Sequence, residues 1–415
     1  MSAVRKAILF IVLAGAVLTV WTCAKREPVE EGRVSLKFKS VSNEDDMPLG
    51  LATQYLASST DKPPELKDLP KGITADYVCF LAELAGRNTP MVLGSYSRLE
   101  HSMLYVDTNG DGRLSDEKSY RVKVIKLPRP EGQEYRFGPI LMMSRDTEGK
   151  FEIKFYAMTG HGRQLVLYPS GYRAGKVRLG ESTYKVAVVD GDFDGRYDKV
   201  FLPPLGESYW PGCDILAIDL TQDGAWQFSS FWTSEVTPLA KMLKLHNTYY
   251  GIDVAPDGTT IELKKVQPEL GTLDFGGANV KLKLWSGTVE EFLCGSDGKW
   301  QIPTGEYSAL FIELNEIDSE RNAWTFRGYR DTGSLRDFEI QAGQTTTFKI
   351  GPPFTITAEA RQIAHRVSIG LKLEGCAGEQ YCFPVKKGSR RQPTPTFKIV
   401  DESGKVLTSG RFKYG

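Results

Sequence analysis

From Asp76 onward the chain is written in short apolar runs with period-two alternation, broken by Gly, Pro, Asp and Asn. Residues 77–81 (Tyr-Val-Cys-Phe-Leu), 103–106 (Met-Leu-Tyr-Val) and 120–125 (Tyr-Arg-Val-Lys-Val-Ile) set the pattern, and 151–156, 164–168, 184–189 and 215–220 continue it. Such runs bounded by turn formers predict antiparallel hairpins and an all-β fold. One window, residues 236–245, carries a spacing compatible with a short amphipathic helix. Further on, residues 280–285, 308–314, 354–360, 366–373, 396–400 and 410–414 again read as strands.

The pattern divides the chain. Residues 24–75 read as a polar tether (24–32) followed by an N-terminal segment, with a Pro-rich loop at 59–72. Residues 76–275 form a β-rich region, and 276–350 and 351–415 two smaller β units. Strands of this length, apolar on one face and polar on the other, imply an immunoglobulin-like sandwich at 351–415.

An apolar strand followed by an Asp-Gly loop recurs four times: at Asp107-Thr108-Asn109-Gly110-Asp111-Gly112, Asp190-Gly191-Asp192-Phe193-Asp194-Gly195, Asp219-Leu220-Thr221-Gln222-Asp223-Gly224 and Asp257-Gly258. The second is the richest, with Asp198 closing it. Calcium takes several hard oxygen ligands, and closely spaced carboxylates around a turn-forming glycine supply them. Left without a cation, carboxylates this close repel one another. The candidate ligands are Asp190, Asp192, Asp194 and Asp198 in one loop and Asp107, Asn109, Asp111 and Ser115 in the other, with Asp116 and Glu117 as distal donors. The third and fourth copies lose carboxylates and read as hairpin turns in which Asp-Gly supplies the positive φ.

These loops resemble two known families. The Asp-x-Asp/Asn-x-Asp-Gly half matches EF-hand and dockerin loops, but position 12 is Lys118 in one and Phe201 in the other, where an EF-hand has a bidentate Glu. The nine residues 190–198 are similar to the hairpin calcium loops of integrin-type propellers, which implies Asp198 as the ninth-position ligand. The Pro303-Thr304-Gly305-Glu306-Tyr307 turn makes 276–350 resemble PEGA-type accessory sandwiches of bacterial envelope proteins.

The first 23 residues have the three-part build of a secretory signal: Arg5 and Lys6, an apolar run at 7–20, then Trp21-Thr22-Cys23. Cys23 stands where a bacterial lipoprotein carries its lipid. The alternatives are a plain secreted or periplasmic protein and a retained N-terminal anchor. Each places the chain outside the cytoplasm. There, Cys376 and Cys382 have a spacing that suits a small disulfide loop, the alternative being two buried thiols. Cys79, Cys213 and Cys294 read as core residues.

Charge and motifs narrow the function. Lys and Arg total 52, Asp and Glu also 52, so no overall basic field invites nucleic acid. The four histidines, His101, His161, His246 and His365, show no metal-ligand spacing, and there is no nucleophile elbow, P-loop or dinucleotide fingerprint. Trp210, Trp226 and Trp232 read as core in preference to a sugar-stacking platform. The expectation is a calcium-binding, non-catalytic envelope protein with a protein or polysaccharide partner, tied to the membrane through its N-terminus. The alternative is an extracytoplasmic polysaccharide-acting hydrolase with β-sandwich accessory domains.

Overall fold

The computed structural model describes residues 32–41, 53–73, 76–95, 97–126, 133–144, 152–159, 164–203, 212–227, 235–329, 333–363 and 366–413. Cys23 and the rest of the signal segment, His161, His365, Trp210 and Trp232 lie outside them. Among the described residues the protein is all-β: strands joined by turns, with two short 3-10 turns and no α-helix. No helix there is long and apolar enough to cross a membrane.

The stretch 76–266 is built around two cores, and Leu270–Asp274 belongs to a third. The first lies between a four-stranded meander (Tyr77–Leu84, Arg87–Gly94, Met103–Val106, Ser119–Arg121) and a five-stranded sheet running Gln54–Ala57, Gln164–Pro169, Glu152–Thr159, Gln133–Met143, Lys123–Lys126. Phe80, Met91, Leu93, Leu104, Phe137, Ile140, Phe155 and Leu167 fill it. The run at 120–125 does not stay in one strand. Val122 turns inward at 8% exposure, and the chain passes there from one sheet to the other.

The second core lies between a five-stranded sheet (Lys37–Ser40, Gly171–Leu179, Ser182–Val189, Ile215–Ile218, Val236–Pro238) and a four-stranded one (Arg33–Ser35, Thr260–Val266, Thr248–Val254, Met242–Leu245). Residues 33–41 are therefore not a free-standing lead-in. Arg33–Ser35 pairs with Thr260–Val266 and Lys37–Ser40 with Gly171–Leu179, one strand in each sheet, while Leu36 between them is buried in the core.

The helix expected at 236–245 is two strands, Val236–Pro238 and Met242–Leu245. Val236 and Thr237 are β-branched and favour a strand, and Pro238 falls on the edge strand of its sheet, where proline is tolerated. As strands, all of 236–238 is buried and pairs with Ile215–Ile218.

The described residues from 270 to 387 pack around one further large core. A three-stranded sheet (Leu270–Asp274, Lys299–Pro303, Thr345–Thr347) faces a nine-stranded one in which Ala323–Tyr329 pairs directly with Gln380–Lys387. Leu373 and Tyr381 pack into the same core as Leu282, Ile312 and Phe326, so both sheet and core continue across position 350. The Pro303–Tyr307 turn is locked because the buried Tyr307 hydroxyl donates to Pro303 O at 2.7 Å. The last two strands, Thr396–Val400 and Val406–Arg411, form a separate ribbon.

Candidate metal centre

The Asp190 loop sits where two strands end together. Val189 pairs with Ile215, so the residue after one and the residue before the other, Asp190 and Asp214, meet at the same edge. Gly191 is required here: a Cβ on it would lie 2.3 Å from Cys213 O. The loop also bolts the two cores together. Phe193, held at a φ of 61°, is buried in the first core edge-on to Phe155, and its carbonyl accepts from Ala85 N at 2.8 Å. Tyr197, four residues on, is buried in the second core.

Asp190 organises the backbone. Its Oδ1 accepts from Asp194 N at 3.2 Å and its Oδ2 from Gly195 N at 3.0 Å. Asp194 Oδ1 accepts from Arg196 N at 2.7 Å. Asp214, fully buried, accepts from Gly191 N at 3.1 Å and Lys199 N at 2.8 Å. The Lys199 ammonium donates to Asp192 Oδ2 at 2.5 Å. Asp192 Oδ1 is buried and has no hydrogen-bond partner. One ligand oxygen from each of Asp190, Asp192 and Asp194 falls within 4.8 Å of the others, the one such grouping among the described residues.

Burial dominates the electrostatics. It pushes the Asp192 carboxyl up to about 6, with the Asp194 charge adding to the shift and Lys199 opposing it. Asp190 and Asp214 are pushed well above the carboxylate range, first by burial and then by the neighbouring carboxylates. Asp194 is raised for the same first reason. Burial first, and mutual repulsion second, raise the cost of ionising these four carboxylates, and one ammonium offsets only part of it.

Asp198, expected as the ninth-position ligand, stands apart from the cluster. Arg196 holds it bidentately, Nε to Oδ1 at 2.9 Å and Nη2 to Oδ2 at 2.8 Å. The sequence reading also missed Asp214 and Lys199. Asp214 adjoins no Asp-Gly signal, and only the strand register brings it in.

The other loops share the backbone design but do not gather carboxylates. Asp107 accepts from Gly110 N at 2.7 Å and Gly112 N at 3.0 Å; Asp219 accepts from Asp223 N at 3.1 Å and Gly224 N at 2.8 Å. Each also has a second acid on the loop's N–H groups: Glu117 on Thr108 N at 2.8 Å and Glu235 on Thr221 N at 2.8 Å. In the first loop Asn109 Oδ1 accepts from Asp111 N and Asp111 Oδ1 from Arg113 N. Ser115 is turned away onto Asp68, its hydroxyl 2.7 Å from Oδ2. Cations already sit on this loop's carbonyls, Lys67 on Asp111 O and Arg87 on Thr108 O. The third copy is not a tight hairpin turn as expected, since residues 219–235 separate its strands. The fourth is one, with Gly258 at a φ of 67° and Asp257 accepting from Thr259 N at 3.0 Å.

Cys376 and Cys382 are free thiols, not a bridged pair. The Cys376 thiol donates to Lys349 O at 2.7 Å. A buried carboxylate holds this turn instead: Glu379 accepts from Gly351 N at 2.6 Å, Ala377 N at 3.0 Å and Tyr381 OH at 3.0 Å. Cys79 and Cys213 are buried as expected, whereas Cys294 is exposed. Trp226 packs on a small core with Tyr172 edge-on, and Lys185 lies over its ring.

A groove of about 480 Å³ collects Glu235, Glu290, Glu291, Lys244 and His246. Its acids are engaged in structure: Glu291 with Lys244 and Tyr249, Glu290 with Trp285 Nε1, Glu235 with Thr221 and Gln227. No protein-family model, curated protein sequence or solved structure matches this chain.

Proposed function

We propose that this chain is a calcium-binding, non-catalytic extracytoplasmic β-protein, an interaction or structural module held at the cell envelope by its N-terminal segment. The metal reading rests on Asp192 Oδ1, a buried carboxylate oxygen with no hydrogen-bond partner beside Asp190 and Asp194. A buried acceptor left unmade is costly, more so when charged. A hard divalent cation would answer both the orphan oxygen and the surplus negative charge, and all-oxygen ligands favour calcium. Asp190, Asp192 and Asp194 would hold it, with Asp214 fixing the backbone behind them.

Its role would be structural, because this loop carries Phe193 into one core and Tyr197 into the other. Affinity on the order of 10⁻⁴–10⁻³ M suits an extracellular module. Saturation at 100 times the dissociation constant would add about 2.7 kcal/mol. The envelope location rests on the sequence of residues 1–23. The engaged acids of the groove favour this reading over the hydrolase.

The test is a thermal melt of residues 24–415 in millimolar calcium, in excess EDTA and in magnesium, with metal analysis of the same sample. A calcium-specific rise is expected. No shift in a sample that metal analysis finds calcium-free refutes the metal reading.

A further inference from the structure

The chain is neutral overall, but its C-terminal end is not. Residues 384–413 hold eight lysines and arginines against two acids, Asp401 and Glu402. Asp401 is occupied within its own turn by Ser403 N, Ser403 Oγ and Lys405 N. The charge is most concentrated in the hairpin of Gln380–Lys387 and Arg390–Arg391, which turns through Gly388-Ser389. Its register sets Lys386 opposite Arg391 and Lys387 opposite Arg390. Like charges directly opposite on antiparallel strands are unfavourable, and here two such pairs follow one another. None of the four has a carboxylate partner among the described residues; Lys387 lies over the Trp324 ring, 5.4 Å from its centroid. Elsewhere cations are matched, as at Lys281 and Arg327 on Glu313 or Lys372 on Glu359.

Successive residues of a strand point to opposite faces. Lys386 and Arg391 therefore share one face of the finger, Lys387 and Arg390 the other. A flat anionic bilayer would meet one face, and the Gly-Ser tip offers no apolar side chain to insert. Duplex DNA is a stiff rod over this length. A flexible single strand would be expected to use exposed aromatic platforms, but Trp324, beside the finger, is already covered by Lys387. A flexible acidic chain can pass around the tip and satisfy both faces, and arginine forks suit its carboxylates.

We infer that the finger formed by Lys386, Lys387, Arg390 and Arg391 is a docking site for a linear anionic polysaccharide, bound through its carboxylates on both faces. The inference is independent of the metal reading.

The test measures binding of the full chain to polygalacturonate in 50 mM salt, with dextran, duplex DNA and phosphatidylglycerol vesicles in parallel. Binding to polygalacturonate is expected, unchanged by EDTA, at least tenfold weaker in 300 mM salt and absent for dextran. The double variants K386Q/R391Q and K387Q/R390Q should each weaken it about tenfold. Each removes a like-charge pair, which in K387Q/R390Q offsets the loss of the Lys387–Trp324 contact, so neither should lower the melting temperature, and a folded variant that has lost binding supports the site. The proposal is overturned by no binding of the parent chain, by loss of binding in EDTA, or by undiminished binding of either double variant. Tighter binding to DNA or to the vesicles than to polygalacturonate also overturns it.

Discussion

Lys199 and Asp192 form an ion pair of 2.5 Å in which the lysine side chain is 50% exposed and the carboxylate 4% exposed. The lysine acts as a tethered counter-ion to the carboxylate cluster, held by one oxygen of Asp192 while the other stays bare. It offsets part of the repulsion that an ion would offset more fully.

Lys199→Met should therefore separate the two conditions. In EDTA the variant should lose about 1 kcal/mol, the modest value suited to a half-exposed partner. In calcium titrations it should bind about three- to tenfold more tightly, because a competing positive charge has gone. Isothermal titration and urea melts of both proteins measure this. Weaker calcium binding in the variant would show that the lysine supports the site.

Asp194→Asn tests the ligand role. The amide oxygen keeps the acceptor for Arg196 N, but a charge is removed from the cluster. Calcium affinity should fall at least tenfold, about 1.4 kcal/mol, while the melting temperature in EDTA holds or rises. Equal loss in both conditions would make Asp194 a backbone support and nothing more.

Asp214→Ala should behave in the opposite way. It strips the partner from Gly191 N and Lys199 N inside the protein, so about 2–3 kcal/mol should be lost with or without calcium. A loss confined to calcium would make Asp214 a ligand.

Acid stability provides a fourth prediction, away from the cluster. Asp318 accepts from Trp324 Nε1 at 2.9 Å, and Asn322 and Glu320 add their N–H groups. These bonds hold its carboxyl down to about 2 from an ordinary 3.8. Its folded pKa lies below its unfolded one, so its stabilisation is complete above about pH 4 and lost as the pH falls through 2. The difference in melting temperature between the parent chain and Asp318→Asn should be constant from pH 7 to 4 and close toward pH 2. A gap that does not narrow would show that the carboxylate charge is not what matters there.

Alternation alone carried the all-β class, because a period of two survives whatever the strands pack against. Residues 103–106 and 396–400 coincide with the observed strands. The Asp-Gly repeat was also legible and has a structural counterpart in the shared backbone capping by Asp107, Asp190 and Asp219. Sequence spacing could not show which loop draws its carboxylates together. That depends on Asp214, 24 positions beyond Asp190, and on Arg196 taking Asp198 away. The strands Arg33–Ser35 and Lys37–Ser40 do carry the alternation, at Val34, Leu36 and Phe38, but it is brief and set among charged residues, and only Leu36 between them is fully buried. The helix expected at 236–245 failed because Val236 and Thr237 are β-branched and the pairing of Val236–Pro238 with Ile215–Ile218 outweighs an amphipathic spacing.

The placement of those first strands sets an order on synthesis. Arg33–Ser35 and Lys37–Ser40 leave the ribosome early, yet their partners are Thr260–Val266 and Gly171–Leu179. Gln54–Ala57 likewise waits for Gln164–Pro169. Arg33–Ser35 must therefore stay unpaired while more than 200 further residues are made, and the other two strands while more than 100 are. Long-range pairing of this kind is slow and leaves strand edges open meanwhile. The Tyr77–Leu84 to Ser119–Arg121 meander pairs only with near neighbours and can form first. Within residues 33–266 assembly would then close backwards, the earliest strand locking after those it joins.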